Sequence, residues 1–176
     1  EEPVEMEDIL FEVVEDQLTN EMFTDDMALY VEMMEDNYHT SPIVGLAWGN
    51  NKKIYTTNNL AVFESQPFID WLMDETRKKN VYDAKRTYVA LNRYVGKMTG
   101  IAFDVLLAAY LLDTNDNNAD IEGVAQHYGY DAIQSDEAIY GKGAKKGLPE
   151  DEEVFFGHLA RKIKAIQFLT SKLDSE

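Results

Sequence analysis

The apolar positions of this chain fall first at strand spacing and then at helix spacing. Ile9, Phe11 and Val13 alternate with Leu10, Glu12 and Val14, which predicts a short strand. Thr19 to Phe23 reads as a helical turn, and Ala28 to Met34 as a second strand, an apolar run interrupted by one acid, Glu32. Ile43 to Trp48 predicts the next strand. Asn50-Asn51 then punctuates a hairpin into Lys53 to Thr57, because asparagine tolerates the left-handed backbone of tight turns. These last three strands, joined by short turns, predict antiparallel pairing.

From there the period changes. Phe68, Trp71, Leu72 and Glu75 sit at helical spacing, with Arg77-Lys78-Lys79 placed to suit the negative end of the helix dipole. Val81-Tyr82 is a candidate strand, Lys85 to Tyr94 a helix with Val89 and Leu91 inward, and Ile101 to Phe103 another strand. Asp104 can cap the helix Val105 to Leu112, whose apolar residues run almost all round and predict burial on most faces. After the polar loop Asp113 to Asp120 come a short helix, Ile121 to Tyr128, and a basic glycine-rich loop, Gly141 to Gly147. A terminal helix, Val154 to Leu173, carries Phe155, Leu159, Ile163, Ile166 and Leu169 on one side. A strand meander followed by alternating strands and helices predicts an α/β fold with a mixed sheet flanked by helices.

Charge narrows the function. The net charge is −17, and eight acids within Glu1 to Asp16 face no basic residue. The remaining residues still hold 16 basic and 25 acidic side chains, a balance of −9. A domain that grips nucleic acid unaided needs phosphate-neutralising cations in excess, so autonomous DNA affinity should be weak. Residues 1–7 read as an acidic linker and residues 8–176 as one domain, small enough for a single core. No apolar run approaches the roughly 20 residues that span a bilayer. The N-terminus lacks the basic start and apolar stretch of a signal peptide. With no cysteine there is no disulfide framework, thiolate zinc site or cysteine nucleophile, and a reducing cytoplasm is the default location.

Local motifs are sparse. Asp113 to Asn117 begins like an EF-hand loop, but Asn118 replaces the turn glycine and Val124 stands in the bidentate glutamate position, so a solvated loop is the better reading. Gly141 to Gly147 lacks the spacing and the Ser or Thr of a P-loop, which leaves Lys142, Lys145 and Lys146 as candidates for touching DNA or a neighbouring domain. His39, His127 and His158 are scattered without a His-x-x-x-His pair, which favours surface or core packing over metal ligation.

Three longer stretches are more specific. Asn37 to Ala47, reading NYHTSPIVGLA, Gly100 to Asp113, reading GIAFDVLLAAYLLD, and Glu137 to Lys145, reading EAIYGKGAK, resemble the 3′–5′ exonuclease-like domain of bacterial DNA polymerase I. The likeness is to the Gram-positive, Bacillus-type branch and runs from about Ile9 to Leu173. It implies a ribonuclease H-like fold, and both ends of the chain then look cut from a longer protein. Proofreading members carry an Asp-x-Glu pair where this chain has Tyr30-Val31-Glu32, and a further Asp at the position of Thr87. Their Tyr-x-x-x-Asp motif matches Leu159 to Ile163, and a shift by one residue places Lys162 or Lys164 there instead.

Hydrolysis with two metal ions holds them about 3.5–4 Å apart, and magnesium wants hard oxygen ligands. The resemblance therefore implies a vestigial site at Tyr30, Glu32, Thr87, Leu159 and Ile163, with no metal, no cofactor and no nuclease activity. The role implied is structural support for a covalently linked polymerase domain, with a 5′ nuclease domain where the parent chain has one, in a monomer without membrane contact. Two rival readings remain. One is a divergent exonuclease using magnesium or manganese, with Glu35 or Asp36 as replacement acids. The other is a contact module that grips single-stranded DNA or a neighbouring domain through Lys142 to Lys146.

Overall fold

The computed structural model describes residues 8–113 and 120–175. A six-stranded mixed sheet is built from β1 (Glu12–Val13), β2 (Met27–Met33), β3 (Ile43–Gly49), β4 (Ile54–Thr57), β5 (Lys79–Val81) and β6 (Ile101–Asp104), in the order β1-β4-β3-β2-β5-β6. β2, β3 and β4 pair antiparallel, as the short turns predict. β1, β5 and β6 join in parallel, on β4, β2 and β5 respectively. Among the described residues six α-helices flank the sheet: α1 (Gln66–Met73), α2 (Ala84–Asn92), α3 (Val105–Leu112), α4 (Ile121–His127), α5 (Asp136–Tyr140) and α6 (Glu152–Asp174). The mixed α/β architecture is the one the sequence predicts.

Every residue of β2 is buried, because the strand lies inside the sheet with helices over both faces. That is why its sequence reads as a continuous apolar run without alternation. Ala28 and Tyr30 join a core with α6, through Phe155, Leu159, Ile163 and Ile166. Leu29, Val31 and Met33 join the opposite core, with Phe68, Trp71 and Leu72 of α1 and Leu91 of α2. Gly45 lets α6 come close, since a Cβ there would stand 2.7 Å from the Phe155 ring.

Some expectations change. The predicted strand from Ile9 shrinks to two residues, Glu12 and Val13. α1 ends at Met73, so Arg77, Lys78 and Lys79 do not form its last turn, and Lys79 opens β5 instead. Its ammonium still serves the end of that segment, donating to the carbonyls of Asp74 at 2.9 Å and Arg77 at 2.7 Å. Asp104 does cap α3, accepting from the backbone N–H groups of Leu106 and Leu107. Only Val105 and Ala109 of α3 are buried, however; Leu107, Tyr110, Leu111 and Leu112 are exposed, so the helix is not enclosed on most faces. The acidic linker 1–7 and most of the Asp113 to Asp120 loop, with its EF-hand-like start, lie outside the described residues. Among the described residues no helix is long and apolar enough to cross a membrane.

Candidate metal centre

Side chains two apart on a strand share a face, so Tyr30 and Glu32 both point from β2 towards α6. The β2–β3 register shifts between Glu32 and Met33. Such a bulge re-aims side chains and is frequent beside functional sites. On α6, His158 and Lys162 stand one turn apart and face the same place. Asp136 comes from the start of α5, a helix capped by Ser135, whose hydroxyl accepts from the N–H of Ala138.

These groups form one network. Lys162 Nζ donates to Glu32 Oε2 at 2.6 Å and lies 2.8 Å from Asp136 Oδ1 and 3.2 Å from the Tyr30 hydroxyl. Tyr140 donates its hydroxyl to Glu32 Oε2 at 2.8 Å, and the N–H of Met33 donates to Glu32 Oε1 at 3.2 Å. His158 Nε2 is 2.7 Å from Asp136 Oδ1. The Glu32, His158 and Lys162 side chains are almost wholly buried, whereas that of Asp136 is 52% exposed and opens the network to solvent. Arg86 stacks on the Tyr30 ring at 5.1 Å, with Lys162 4.5 Å from that ring's centre, and donates to the carbonyl of Val31 at 2.8 Å.

Electrostatics follow from this packing. Burial alone would lower the Lys162 pKa, but Glu32, Tyr30 and Asp136 outweigh it and hold the ammonium firmly protonated. Burial alone would raise the Asp136 pKa, yet the His158 hydrogen bond and the Lys162 charge keep it well below the carboxylate range. Burial, then Glu32, pushes the Tyr140 hydroxyl up, so it stays a donor.

Glu32, Asp136 and His158 each offer a ligand atom, and the three atoms lie within 4.8 Å of one another. Carboxylate oxygens suit magnesium and manganese, and an imidazole nitrogen is acceptable to manganese and softer ions. The carboxylates already hold a cation between them, the Lys162 ammonium, which shows that their placement suits positive charge. The donor types are those a divalent ion takes, and the Lys162 ammonium occupies the place between the two carboxylates. A cleft of about 310 Å³ adjoins the network, lined in part by Tyr30, Arg86, Tyr38, Glu122 and Lys146.

The expectation of an inactive site without metal or cofactor rested on Glu32 standing alone. It does not stand alone, since Asp136 and His158 meet it in space, and the reading of the domain as catalytically degenerate is corrected on that ground. His158, read from spacing as a packing residue, is one of the candidate ligands.

The other sequence-derived positions are spread more widely. Thr87 is buried in α2 and donates its hydroxyl to the carbonyl of Asp83. Leu159 and Ile163 are fully buried in the core beneath α6, while their neighbours His158 and Lys162 face the network. Glu35 and Asp36 line the cleft. Lys146 also reaches it, whereas Lys142 is exposed and lies 3.6 Å from Glu137, and Lys145 is exposed on the same loop. Asp136 gave no sequence signal, being one acid among 33. His158 and Lys162 did give one: two polar residues one turn apart beside the inward apolar positions of a buried helix.

Known proteins share this arrangement of strands and helices. Brucella melitensis NrnC with bound Mg2+ superposes with a TM-score of 0.69 at 14% identity, over 94% of this chain and 79% of that one. Escherichia coli RNase D, an exoribonuclease involved in structured RNA processing, gives 0.65 at 12% identity, over 89% and 40%. At these identities the likeness is one of fold alone. Sequence relatives are nearer. DNA polymerase I of Geobacillus stearothermophilus is 44% identical over 163 residues, 93% of this chain and 18% of that protein. DNA polymerase I of Bacillus subtilis (strain 168) is 39% identical over 171 residues, 97% and 19%. The chain thus spans under a fifth of the length of these relatives. Residues 29–169, which hold Glu32, Asp136, His158 and Lys162, match the family model described as DNA polymerase I, ribonuclease H-like domain, and the chain belongs to that family.

Proposed function

We propose that this domain is a divergent, metal-dependent 3′–5′ exonuclease, part of a DNA polymerase I whose polymerase domain is covalently linked to it. The observation that carries this reading is the convergence of Glu32, Asp136 and His158 on one point at the edge of an open cleft. The fold, shared with Brucella melitensis NrnC with bound Mg2+, supports it.

A divalent ion held by these three side chains would supply Lewis-acid polarisation of a phosphodiester and a water of lowered pKa. The chain's own residues do the rest. Tyr140 and the Met33 N–H hold the Glu32 carboxylate in a fixed orientation. Before an ion binds, His158 Nε2 holds Asp136 Oδ1 in place. Arg86 and Lys146 place positive charge on the wall of the cleft, where a phosphate backbone would lie. Glu35, Asp36 and Glu122 line the same cleft, so nucleic acid meets net negative charge there until a cation is bound. Weak DNA affinity by the isolated domain and a strict need for the ion both follow. The parent chain acts in the cytoplasm in this reading.

The test is nucleotide release from a 3′-labelled single strand in magnesium or manganese. Release that falls at least a hundredfold in Glu32→Gln and in Asp136→Asn is expected. No release, or equal release from all three proteins, would overturn the proposal.

A further inference from the structure

The same site holds a competitor of its own. We infer that Lys162 regulates metal loading: its ammonium takes the cation position in the metal-free protein and has to leave before a divalent ion can bind. This rests on the reading of Glu32, Asp136 and His158 as ligands.

Geometry makes the two states exclusive. Lys162 Nζ lies 2.6 Å from Glu32 Oε2 and 2.8 Å from Asp136 Oδ1. A magnesium ion bound to those two oxygens would sit about 2.0–2.1 Å from each, inside the volume the ammonium fills. Charge makes the same point. Glu32 and Asp136 are already balanced by the Lys162 ammonium and the nearby Arg86 guanidinium, so a divalent ion gains most room, in charge as in space, when the ammonium leaves. An ion added beside the ammonium would set two cations nearly in contact, with the Arg86 guanidinium close by.

The displaced side chain has somewhere to go. Lys162 itself lines the adjoining cleft, whose walls carry Glu35, Asp36 and Glu122 as alternative partners and open to solvent. The Tyr30 ring beneath it, 4.5 Å from Nζ, gives the stem an apolar wall to turn against. In the metal-free state the ammonium spares Glu32 and Asp136 their mutual repulsion, so the domain folds without an ion. The consequence is a weak metal site by construction, loaded when the ion is abundant or when substrate phosphate draws the lysine away.

Manganese binding to the 176-residue chain, measured by electron paramagnetic resonance of the free ion, tests this against Lys162→Met and the uncharged, more polar Lys162→Gln. Both variants should bind at least tenfold more tightly than the unmodified chain, and manganese should raise their melting temperatures more than it raises its own. If a variant folds only with the ion, circular dichroism during manganese addition gives the same affinity. Saturable binding of equal strength in all three proteins would overturn the competitor role while leaving the ligand set standing. Tight binding in the variants alone supports the competitor role and removes metal-dependent activity from the unmodified chain. Absence of saturable binding in every protein overturns both.

Discussion

Glu32 and Lys162 are 130 residues apart in the chain, yet their charged atoms meet at 2.6 Å with both side chains almost wholly out of water. A buried pair of this kind contributes little net stability but is costly to break from one side. Glu32→Ala leaves the Lys162 ammonium buried with Asp136 as its remaining acidic partner, and Tyr140 without its acceptor. Urea unfolding should show a loss of about 3–5 kcal/mol. A loss below about 1 kcal/mol would mean that water reaches the pair freely.

Asp136 holds the same lysine from the solvent side, and His158 with it. Asp136→Asn should cost about 1–3 kcal/mol at pH 7, less than the Glu32 substitution because Asp136 is half exposed. The pH dependence has a definite sign. The folded pKa of Asp136 lies below its unfolded value of roughly 3.9. Its contribution is therefore complete above that value and declines as pH falls further, through the folded pKa. Unfolding curves of the unmodified chain and the variant should converge under strong acid; a gap that widens there would contradict the assignment.

Lys79 works in the opposite sense. Burial lowers its pKa to about 8, against the partial support of Asp74. The unfolded chain, with a lysine pKa of roughly 10.4, then binds more protons between these two values, and stability rises with pH across that window. Lys79→Met removes the effect, so the stability gap between the two proteins should move in favour of the unmodified chain from pH 8 to pH 10. A gap independent of pH would show that the ammonium is not desolvated.

Gly45 tests how closely β3 and α6 approach. A Cβ at this position meets the Phe155 ring at 2.7 Å and Leu159 Cδ1 at 3.0 Å. Gly45→Ala should destabilise by about 1–3 kcal/mol through overpacking, and Phe155→Leu in the same chain should recover part of that loss. Thermal melts of the two variants check this. An alanine variant as stable as the unmodified chain would show that the helix shifts freely.

Much of the fold was legible from periodicity. Strands β2 to β4, helices α1, α2, α3 and α6, and the Asp104 cap all correspond to apolar spacing and cap chemistry that a single sequence displays. The exposure of α3 was not legible, since an apolar helix reads as buried whether or not its partners lie within the chain. The site was half legible. Glu32 stood out as an acid in an apolar strand, but Asp136 and His158 reach it from elements more than 100 residues away in sequence. No local pattern records that meeting. A one-residue difference in how α6 faces the strand separates the buried pair Leu159 and Ile163 from the site-facing pair His158 and Lys162. Helical periodicity does not settle a rotation that small when nearly every side of the helix is covered.

The most direct measurement is anomalous diffraction from crystals of the chain soaked in manganese. A single strong peak bounded by Glu32, Asp136 and His158 is expected, with the Lys162 side chain turned into the cleft. No peak, with Lys162 still seated between the two carboxylates at saturating manganese, would contradict it.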